Sequence, residues 1–499
     1  MKLFEKIKQY YLPERKLSYR EEVVPITKSI NENAAALRSY FGSGGDLVLK
    51  TVKAGSLLSG KLVLTAAVDG LYDKELAAVS VLSRLTVSGA KTQDDAFAVL
   101  RSDVISNPDT KTVTSINEAA ALMMSGFMCV FLQGSKTALA VGVQGYAYRS
   151  VDEPQTEVLQ RGSREGFTEP LKLNQALIRR RLRTGALRFE SMQIGDTAKT
   201  DVCICYIDGK ADKIMLEKLR ERLSGVHLQT VFTSGCLVDY LDKTPVSFFN
   251  GIGVTERPDT ACAKLCEGKA VVIVDGTPSA LIVPHIMAEN FSTLDDYSNR
   301  PYFSSLTRWL KYAAFLIAVM LPGIYVALAM YSPEFFPNEL LTRVSASVSH
   351  TPFSAFAEVL IFTFIYEVMR EAGLRLPKTL GHAVSIIGGL VIGETAVSSG
   401  FIGAPTLMIV ALTVICSYVI PELYAPISAL RSLFIIFGGI WGVWGIMLMA
   451  CIMIADLCSK ESFGVPFLIP LAPFDPFGLR DTAVRATHET LSRKVYEES

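Results

Sequence analysis

Residues 352–405, PFSAFAEVLIFTFIYEVMREAGLRLPKTLGHAVSIIGGLVIGETAVSSGFIGAP, decide the class of fold. The stretch is apolar enough for a lipid bilayer, yet it contains the carboxylates Glu358, Glu367 and Glu394. Because a charged side chain is costly at membrane depth, such residues usually face a bundle interior or a water-filled path. Gly389 and Gly393 are spaced as GxxxG, which lets two helix backbones approach closely. The stretch therefore predicts a polytopic helical assembly with a polar interior.

The composition divides the chain into a soluble part and a membrane part. Hydrophobic residues make up 50% of the 499 residues, the mean hydropathy is +0.32, and the apolar excess lies in residues 309–456. We therefore expect an N-terminal α/β domain, a helical membrane domain at 301–460 and a tail at 461–499. The first sixteen residues lack the apolar core of a signal peptide, so the front domain is expected in the cytoplasm. The 49 basic and 49 acidic residues balance, which argues against nucleic acid as a partner.

The front domain shows the same local pattern several times. Three strand-like runs lead to an Asp-Gly pair, in segments 61–70, 202–210 and 270–284. The first two pairs are followed by amphipathic helical spacing, and the third predicts a hairpin at Asp275-Gly276. Residues 126–134 and 137–146 read as a hairpin. These features predict two similar α/β halves, at 1–150 and 151–300.

Nothing in the sequence predicts an enzyme. Cys262 and Cys266 have metal-like spacing, but no second Cys/His pair accompanies them, and buried reduced thiols are the better interpretation. Gly251-Ile252-Gly253 lacks the helix-opening glycine of a nucleotide loop. We therefore expect no catalytic residue, no cofactor and no metal.

A basic cluster occupies residues 177–188 and contains Arg179, Arg180, Arg181 and Arg183. It lacks the interleaved aromatic residues of a nucleic-acid site. The sequence leaves three interpretations open: a solvated helix face, a face that pairs with carboxylates of a neighbouring subunit, or a face at the membrane surface. We keep the four arginines as a candidate subunit interface.

The membrane part contains five apolar blocks, and their topology is ambiguous. The blocks are 309–331, 354–372, 382–400, 404–421 and 430–456. Basic residues before the first block place its start in the cytoplasm by the positive-inside rule. Five passes would leave the basic tail outside, so we expect four or five passes, with 382–400 as the candidate for a partial crossing.

The membrane carboxylates are the candidate functional residues. Arg370 lies one helical turn from Glu367, so the two can form an internal ion pair. Glu358 and Glu367 are nine residues apart and fall on opposite faces of a straight helix. Glu394 has no cation of its own nearby, and a ring of such carboxylates in an oligomer would attract cations. Each carboxylate is either part of an ion path or a hydrogen-bonded residue at a helix contact.

Several separated segments occur in a fixed order along the chain: SINENAAALRSYFG (29–42), RGSREGFTEPLKLNQALIRRRLRT (161–184), VDGTPSALIVP (274–284), REAGLRLPKTLGHAVSIIGGLVIGETAVSSG (370–400) and SFGVPFLIPLAPFDP (462–476). Together they resemble one family, the A subunits of bacterial spore germinant receptors (GerA family).

The resemblance implies a multi-pass protein of the spore inner membrane, with its front domain on the spore-core side. It implies a transporter-like B subunit and a lipoprotein C subunit as partners, and a homo-oligomer that releases monovalent cations on triggering. At position 394 the family often has Gln or a small residue, so Glu394 departs from the pattern. Two alternatives remain: the stage V sporulation AF-type paralogue, which has both domains, and a signalling or scaffold subunit without a pore.

Overall fold

The computed structural model describes residues 23–42, 45–55, 61–85, 100, 109–145, 154, 156–244, 247–337, 339, 351–376, 391–475 and 478–487. The chain forms an α/β front domain of two halves, followed by a helical domain. The predicted fold class is confirmed.

The first half is built on a five-stranded antiparallel sheet with the order β1-β2-β4-β5-β3. Its elements are α1 (Ile30–Phe41), β1 (Leu47–Lys53), β2 (Leu62–Val68), β3 (Thr110–Val113), α2 (Ile116–Met123), β4 (Phe127–Leu132) and β5 (Ala138–Gly142). A helical segment at 74–85, with a π-helical turn at Ala78–Leu82, follows β2. Strands β4 and β5 pair as the predicted hairpin.

The second half repeats this arrangement, with the strand order β6-β7-β9-β10-β8. Its elements are α3 (Leu171–Arg181), β6 (Leu187–Ile194), β7 (Thr200–Ile207), α4 (Lys213–Ser224), α5 (Gly235–Leu241), β8 (Gly253–Thr255), α6 (Pro258–Cys266), β9 (Ala270–Val274) and β10 (Ala280–Val283). The hairpin predicted at Asp275-Gly276 joins β9 to β10.

The two halves share individual hydrogen bonds as well as topology. Asn33 bonds the backbone of Thr27 through both amide atoms, and Asn174 does the same with Thr168. The loop after β4 and the loop after β9 each donate a backbone N–H to the residue that follows this threonine, at 2.9 Å in both halves. The prediction of two similar halves is thus confirmed at the level of single residues.

Both sheets are covered on both faces, which explains their apolar central strands. Every residue of β4 is buried, as is every residue of β9. In the second half, one face packs on α4 and α5, and the other packs on α3 and α6. A strand between two helical layers loses its polar face, so these runs are continuously hydrophobic instead of alternating.

The described part of the helical domain contains four long or medium helices. They are α7 (Pro301–Tyr331), α8 (Ala355–Arg375), α9 (Ala404–Tyr418) and α10 (Tyr424–Ser459), and residues 391–398 are also helical. Among the described residues, two segments, 301–331 and 421–459, are long and apolar enough to span a membrane.

Helix α10 is a hairpin of two antiparallel arms, not one straight helix. Gly442 has a φ of 60° and a ψ of −140°, a conformation that glycine adopts without a steric cost. A Cβ on Gly445 would lie 2.0 Å from the backbone oxygen of Phe437, so the chain doubles back between them. The arms of 18 and 17 residues rise about 27 Å and about 25 Å. The sequence interpretation of 430–456 as a single block was wrong, because glycine at one position reverses the chain.

The helical domain is fastened to the second half of the front domain by polar contacts. Lys460, directly after α10, donates to Asp242 at 2.8 Å, and its side chain is fully buried. Asp456, in the last turn, accepts from Ser247 and from the N–H of Phe248. Both ends of the α10 hairpin therefore lie beside the front domain, and its turn lies at the far end of the bundle.

Candidate functional site: the charged residues of the helical domain

Glu358 lies where α8 meets the beginning of α9. Its carboxylate accepts from the N–H of Gly403 at 3.2 Å and from the hydroxyl of Thr406 at 2.7 Å, and Tyr325 of α7 contacts the same hydroxyl. Gly403 is the N-cap of α9, so the positive end of the helix dipole faces the carboxylate. Glu358 is completely buried, and its Oε1 has no hydrogen-bond partner among the described residues. Glu358, a residue of α8, therefore caps the N-terminus of α9.

Glu367 forms a polar cluster with the first arm of α10. Its carboxylate accepts from Arg431 at 2.6 Å, from Ser428 at 2.6 Å and from Tyr424 at 2.8 Å. The predicted pair with Arg370 is also present, at 3.4 Å, but it is longer than the bond from Arg431. Arg431 is 1% exposed, and its Nε and Nη1 have no hydrogen-bond partner within the described part of the chain. The pair joins α8 to α10.

The two carboxylates of α8 face different helices, as their nine-residue separation predicts. Glu358 contacts α9, near the far end of the bundle, and Glu367 contacts α10, near the front domain. Phe356, two residues before Glu358, packs on Gly439 at the far end of the hairpin. Helix α8 therefore runs toward the front domain, and each of its carboxylates holds one neighbouring helix.

Glu394 differs from both because its side chain is exposed. It lies in the helical segment 391–398, beside Gly393, which is buried. A Cβ on Gly393 would lie 3.4 Å from Leu407 of α9, an ordinary van der Waals distance, so this segment packs beside α9. Gly389, the other half of the GxxxG pair, lies outside the described residues.

The basic cluster at the end of α3 divides into one buried arginine and three at or near the surface. Arg179 is 1% exposed, donates to Asp46 of the first half at 2.7 Å and stacks on Phe189. For this residue the interpretation as an exposed helix face was wrong, because its carboxylate partner belongs to the other half. Arg180 and Arg181 both bind Glu165, at the entry to α3. The remaining member, Arg183, is exposed and stays a prediction for a subunit interface, as do Arg180 and Arg181.

Burial and paired charges shift the pKa values of two carboxyls at the domain junction. A cavity of about 260 Å³ lies between the second half and the helical domain, and residues that line it include Glu157, Glu289 and Lys311. Burial raises the pKa of Glu157 above its usual value. Burial also acts on Glu289, but the ammonium groups of Lys269 and Lys264 outweigh it and hold the pKa of this carboxyl well below its usual range. Both signs of charge line the cavity.

The cysteine spacing does not form a metal site in the part of the chain that the structure describes. Cys262 is buried and Cys266 is exposed, and both are free. The prediction of buried thiols is therefore right for Cys262 and wrong for Cys266. Among the described residues, no group of three or more His, Cys, Asp or Glu side chains could hold a metal ion.

Sequence reasoning missed Arg431, the strongest partner of Glu367. A signal was present, since Arg431 is the only Lys or Arg in residues 424–459. A single cation within an apolar block requires a partner, because an isolated buried charge is costly. The carboxylates of the preceding blocks were the available candidates.

Comparisons with known proteins identify the family of the chain. The family model described as Bacillus/Clostridium GerA spore germination protein matches residues 35–496. The chain belongs to the GerA family of spore germination proteins.

Individual relatives match over most of their length. The chain is 36% identical over 473 residues to the uncharacterized membrane protein YfkQ of Bacillus subtilis, covering 94% of this chain and 91% of that protein. It is 34% identical over 468 residues to spore germination protein KA of Bacillus subtilis, covering 93% and 86%. The crystal structure of the N-terminal domain of the A subunit of the Bacillus megaterium spore germinant receptor GerK3 matches with a TM-score of 0.40 at 24% identity, covering 54% of this chain and 99% of that one.

Proposed function

We propose that the chain is the A subunit of a spore germinant receptor, which converts nutrient sensing into the release of monovalent cations. Membership of the GerA family and similarity to spore germination protein KA support the class of function. In this proposal the chain acts as a homo-oligomer with a transporter-like B subunit and a lipoprotein C subunit. It lies in the spore inner membrane, with the front domain on the core side.

The proposed topology has six crossings, not four or five. Helix α8 ends at Arg375 on the front-domain side, whereas Phe401 packs on Phe353 at the far side, so we propose one further crossing between these two residues. Helices α7, α8 and α9 and the two arms of α10 account for the other five crossings. An even number returns the basic tail to the side of the front domain, which removes the conflict with the positive-inside rule.

The three carboxylates differ in burial and in hydrogen-bond partners, and this difference supports our proposal that an ion path runs between copies of the chain. Glu358 and Glu367 are engaged by donors from their own chain, whereas Glu394 is exposed on the helical segment 391–398. A carboxylate exposed at membrane depth is expected to face water or another polar chain and not lipid. Glu394 is accordingly the residue we assign to the ion path, and a role of Gly389 and Gly393 in helix packing stays a prediction. Glu358 and Glu367 hold the helices beside it.

Potassium release from spores tests this assignment. Glu394→Lys is expected to slow release strongly, because it places cations along a cation path, and Glu394→Gln is expected to change the rate or the preference among monovalent cations. The same two substitutions at Glu371, which is half exposed and pairs with Arg375 at the end of α8, provide the matched control for changing a carboxylate in the helical domain. If both Glu394 variants release potassium normally at normal protein levels, the path does not involve this residue and the scaffold function gains support.

The AF-type function predicts a different dependence on nutrients. An A subunit of one receptor affects germination only with the nutrients of that receptor, whereas an amplifying AF-type protein affects release with all of them. Deleting the chain and measuring potassium release with several unrelated nutrients distinguishes the two. Loss with every nutrient would contradict the receptor assignment.

A further inference from the structure

Helix α7 has an exposed apolar face that begins in its first turn. Over residues 301–313, the apolar and aromatic side chains that are exposed recur every three or four positions, so they share one side of the helix. They are Tyr302, Phe303, Leu306, Trp309, Leu310 and Ala313. On the other side of the helix, Arg308 is fully buried and donates to Asp296 at 2.8 Å. The apolar face of α7 is thus turned away from the junction with the front domain.

No charged side chain interrupts this face. Arg308 is the only charged residue between Pro301 and Leu310, and it is buried on the other side of the helix. Two aromatic members of the face, Tyr302 and Trp309, are 72% and 61% exposed. A contiguous exposed apolar patch marks an interaction site. The apolar face of α7 therefore needs a cover, and the length of the helix indicates which one.

Helix α7 is longer than the hydrocarbon core of a membrane is thick. Its 31 residues rise about 46 Å, whereas about 20 residues span a core of about 30 Å. Its far end is fixed by Tyr331, whose hydroxyl lies 2.8 Å from the backbone oxygen of Gly439 near the turn of the α10 hairpin. Counted from Tyr331, the core ends near Lys311, which donates to the backbone oxygen of Phe291 in the front domain at 3.3 Å. Residues 301–310 therefore lie beyond the core, on the side of the front domain.

The level of these residues corresponds to the headgroup layer of a bilayer. This layer adds about 5–8 Å to each side of the core, and Trp309 and Leu306 lie about 3 Å and about 8 Å beyond Lys311 along the helix. Tryptophan and tyrosine are enriched at this level, because their rings combine an apolar body with a polar edge. In the other direction, the face continues to Leu316, which is 50% exposed at the depth of the lipid chains. Lipid can therefore cover the whole face without a break.

Basic residues lie at the edge of the face that is nearest the front domain. Arg300, directly before α7, is exposed. Arg161 is exposed as well, and its backbone N–H donates to Asp295, shortly before Arg300 in the chain, at 3.3 Å. Basic side chains near a membrane surface attract anionic lipids. This edge thus has the charge that complements a lipid phosphate.

We infer that the apolar face of α7 is a lipid-binding surface: it lies in the headgroup layer of the core-side leaflet, and Arg300 and Arg161 at its edge bind the phosphates of anionic lipids. The inference goes beyond the proposed function and takes from it only the membrane location. It places the front domain directly on the leaflet, without a stalk between them.

Tryptophan fluorescence tests the depth of this surface, because the chain has three tryptophans and Trp309 alone belongs to the face. The full-length chain with Trp441→Phe and Trp444→Phe is reconstituted into vesicles of phosphatidylcholine and phosphatidylglycerol. A nitroxide on the lipid headgroup should quench Trp309 more strongly than a nitroxide at the middle of the acyl chain. The control chain, with Trp309→Phe, keeps Trp441 and Trp444 near the turn of the α10 hairpin, where they are 54% and 78% exposed and should be quenched by lipid labels.

Brominated lipids test the chemistry of the headgroup. At equal mole fraction, brominated phosphatidylglycerol should quench Trp309 more than brominated phosphatidylcholine does. Changing Arg300→Gln together with Arg161→Gln should lower this preference, by up to about fivefold for each arginine. Arg38→Gln together with Arg183→Gln, two exposed positions elsewhere on the front domain, should leave the preference unchanged.

Two results would overturn the inference. If the headgroup label does not quench Trp309 while Trp441 and Trp444 are quenched in the control chain, lipid does not cover the face, although the membrane location stands. If the two brominated lipids quench Trp309 equally, anionic headgroups are not the ligand. Failure of lipid labels to quench Trp441 and Trp444 would contradict the proposed membrane location as well.

Discussion

Replacing Arg431 with methionine should destabilise the helical domain by about 3 kcal/mol. Removing one partner of a buried ion pair typically costs about 3–5 kcal/mol, because it leaves the other charge unpaired. We take the lower end, since Glu367 is 27% exposed and keeps the hydroxyl donors Tyr424 and Ser428. The free energy of unfolding can be measured by SDS titration of the full-length protein in mixed micelles.

A matched control separates this effect from the general loss of an arginine. Arg375 pairs with Glu371 at 2.7 Å on the same side of the bundle, but the two side chains are 79% and 52% exposed. Arg375→Met should therefore cost about 0.5 kcal/mol or less, as exposed ion pairs do. Adding Glu367→Gln to Arg431→Met should restore part of the loss, because no buried charge then remains unpaired. Equal effects of Arg431→Met and Arg375→Met would refute the reasoning.

Three further predictions concern single positions. Glu358→Gln should destabilise the helical domain by about 1–3 kcal/mol in the same titration, since a carboxylate that caps α9 is replaced by a neutral amide with one fewer acceptor; an unchanged free energy would contradict its role as a cap. Leu219→Ala, in the core between α4 and the second sheet, should cost about 2–5 kcal/mol, whereas Ile214→Ala, which is 56% exposed on the same helix, should change the free energy of unfolding little. Burial acts on Asp242, but the hydrogen bond from Lys460 outweighs burial and lowers the pKa of this carboxyl below 3.8. The pair of Asp242 and Lys460 should therefore stabilise the junction above pH 3.8, and this stabilisation should be lost as the pH falls below that value. Limited proteolysis between about pH 3 and pH 7, a range that includes the usual pKa of a carboxyl group, should show that the junction opens in acid. Asp242→Asn should remove the pH dependence of this opening.

The sequence by itself determined the classes of structure and the order in which they occur. Continuous apolar runs ending in Asp-Gly predicted strands and turns, and the hairpins at 126–146 and 270–284 are present. The jump in hydropathy after residue 300 marked the helical domain. These features are local, because strand, turn and apolar helix are each specified by residues adjacent in the chain.

Only the tertiary structure decided which charges are neutralised and how the bundle is threaded. Arg179 finds its carboxylate 133 residues earlier in the chain, and Arg431 finds Glu367 64 residues earlier, distances over which no local pattern reports a contact. The reversal at Gly442 depends on close packing of Tyr331 and Phe437 around one positive φ, which hydropathy does not detect. A carboxylate has the same letter whether it caps a helix, pairs with an arginine or faces outward, and burial and partners alone distinguish Glu358, Glu367 and Glu394.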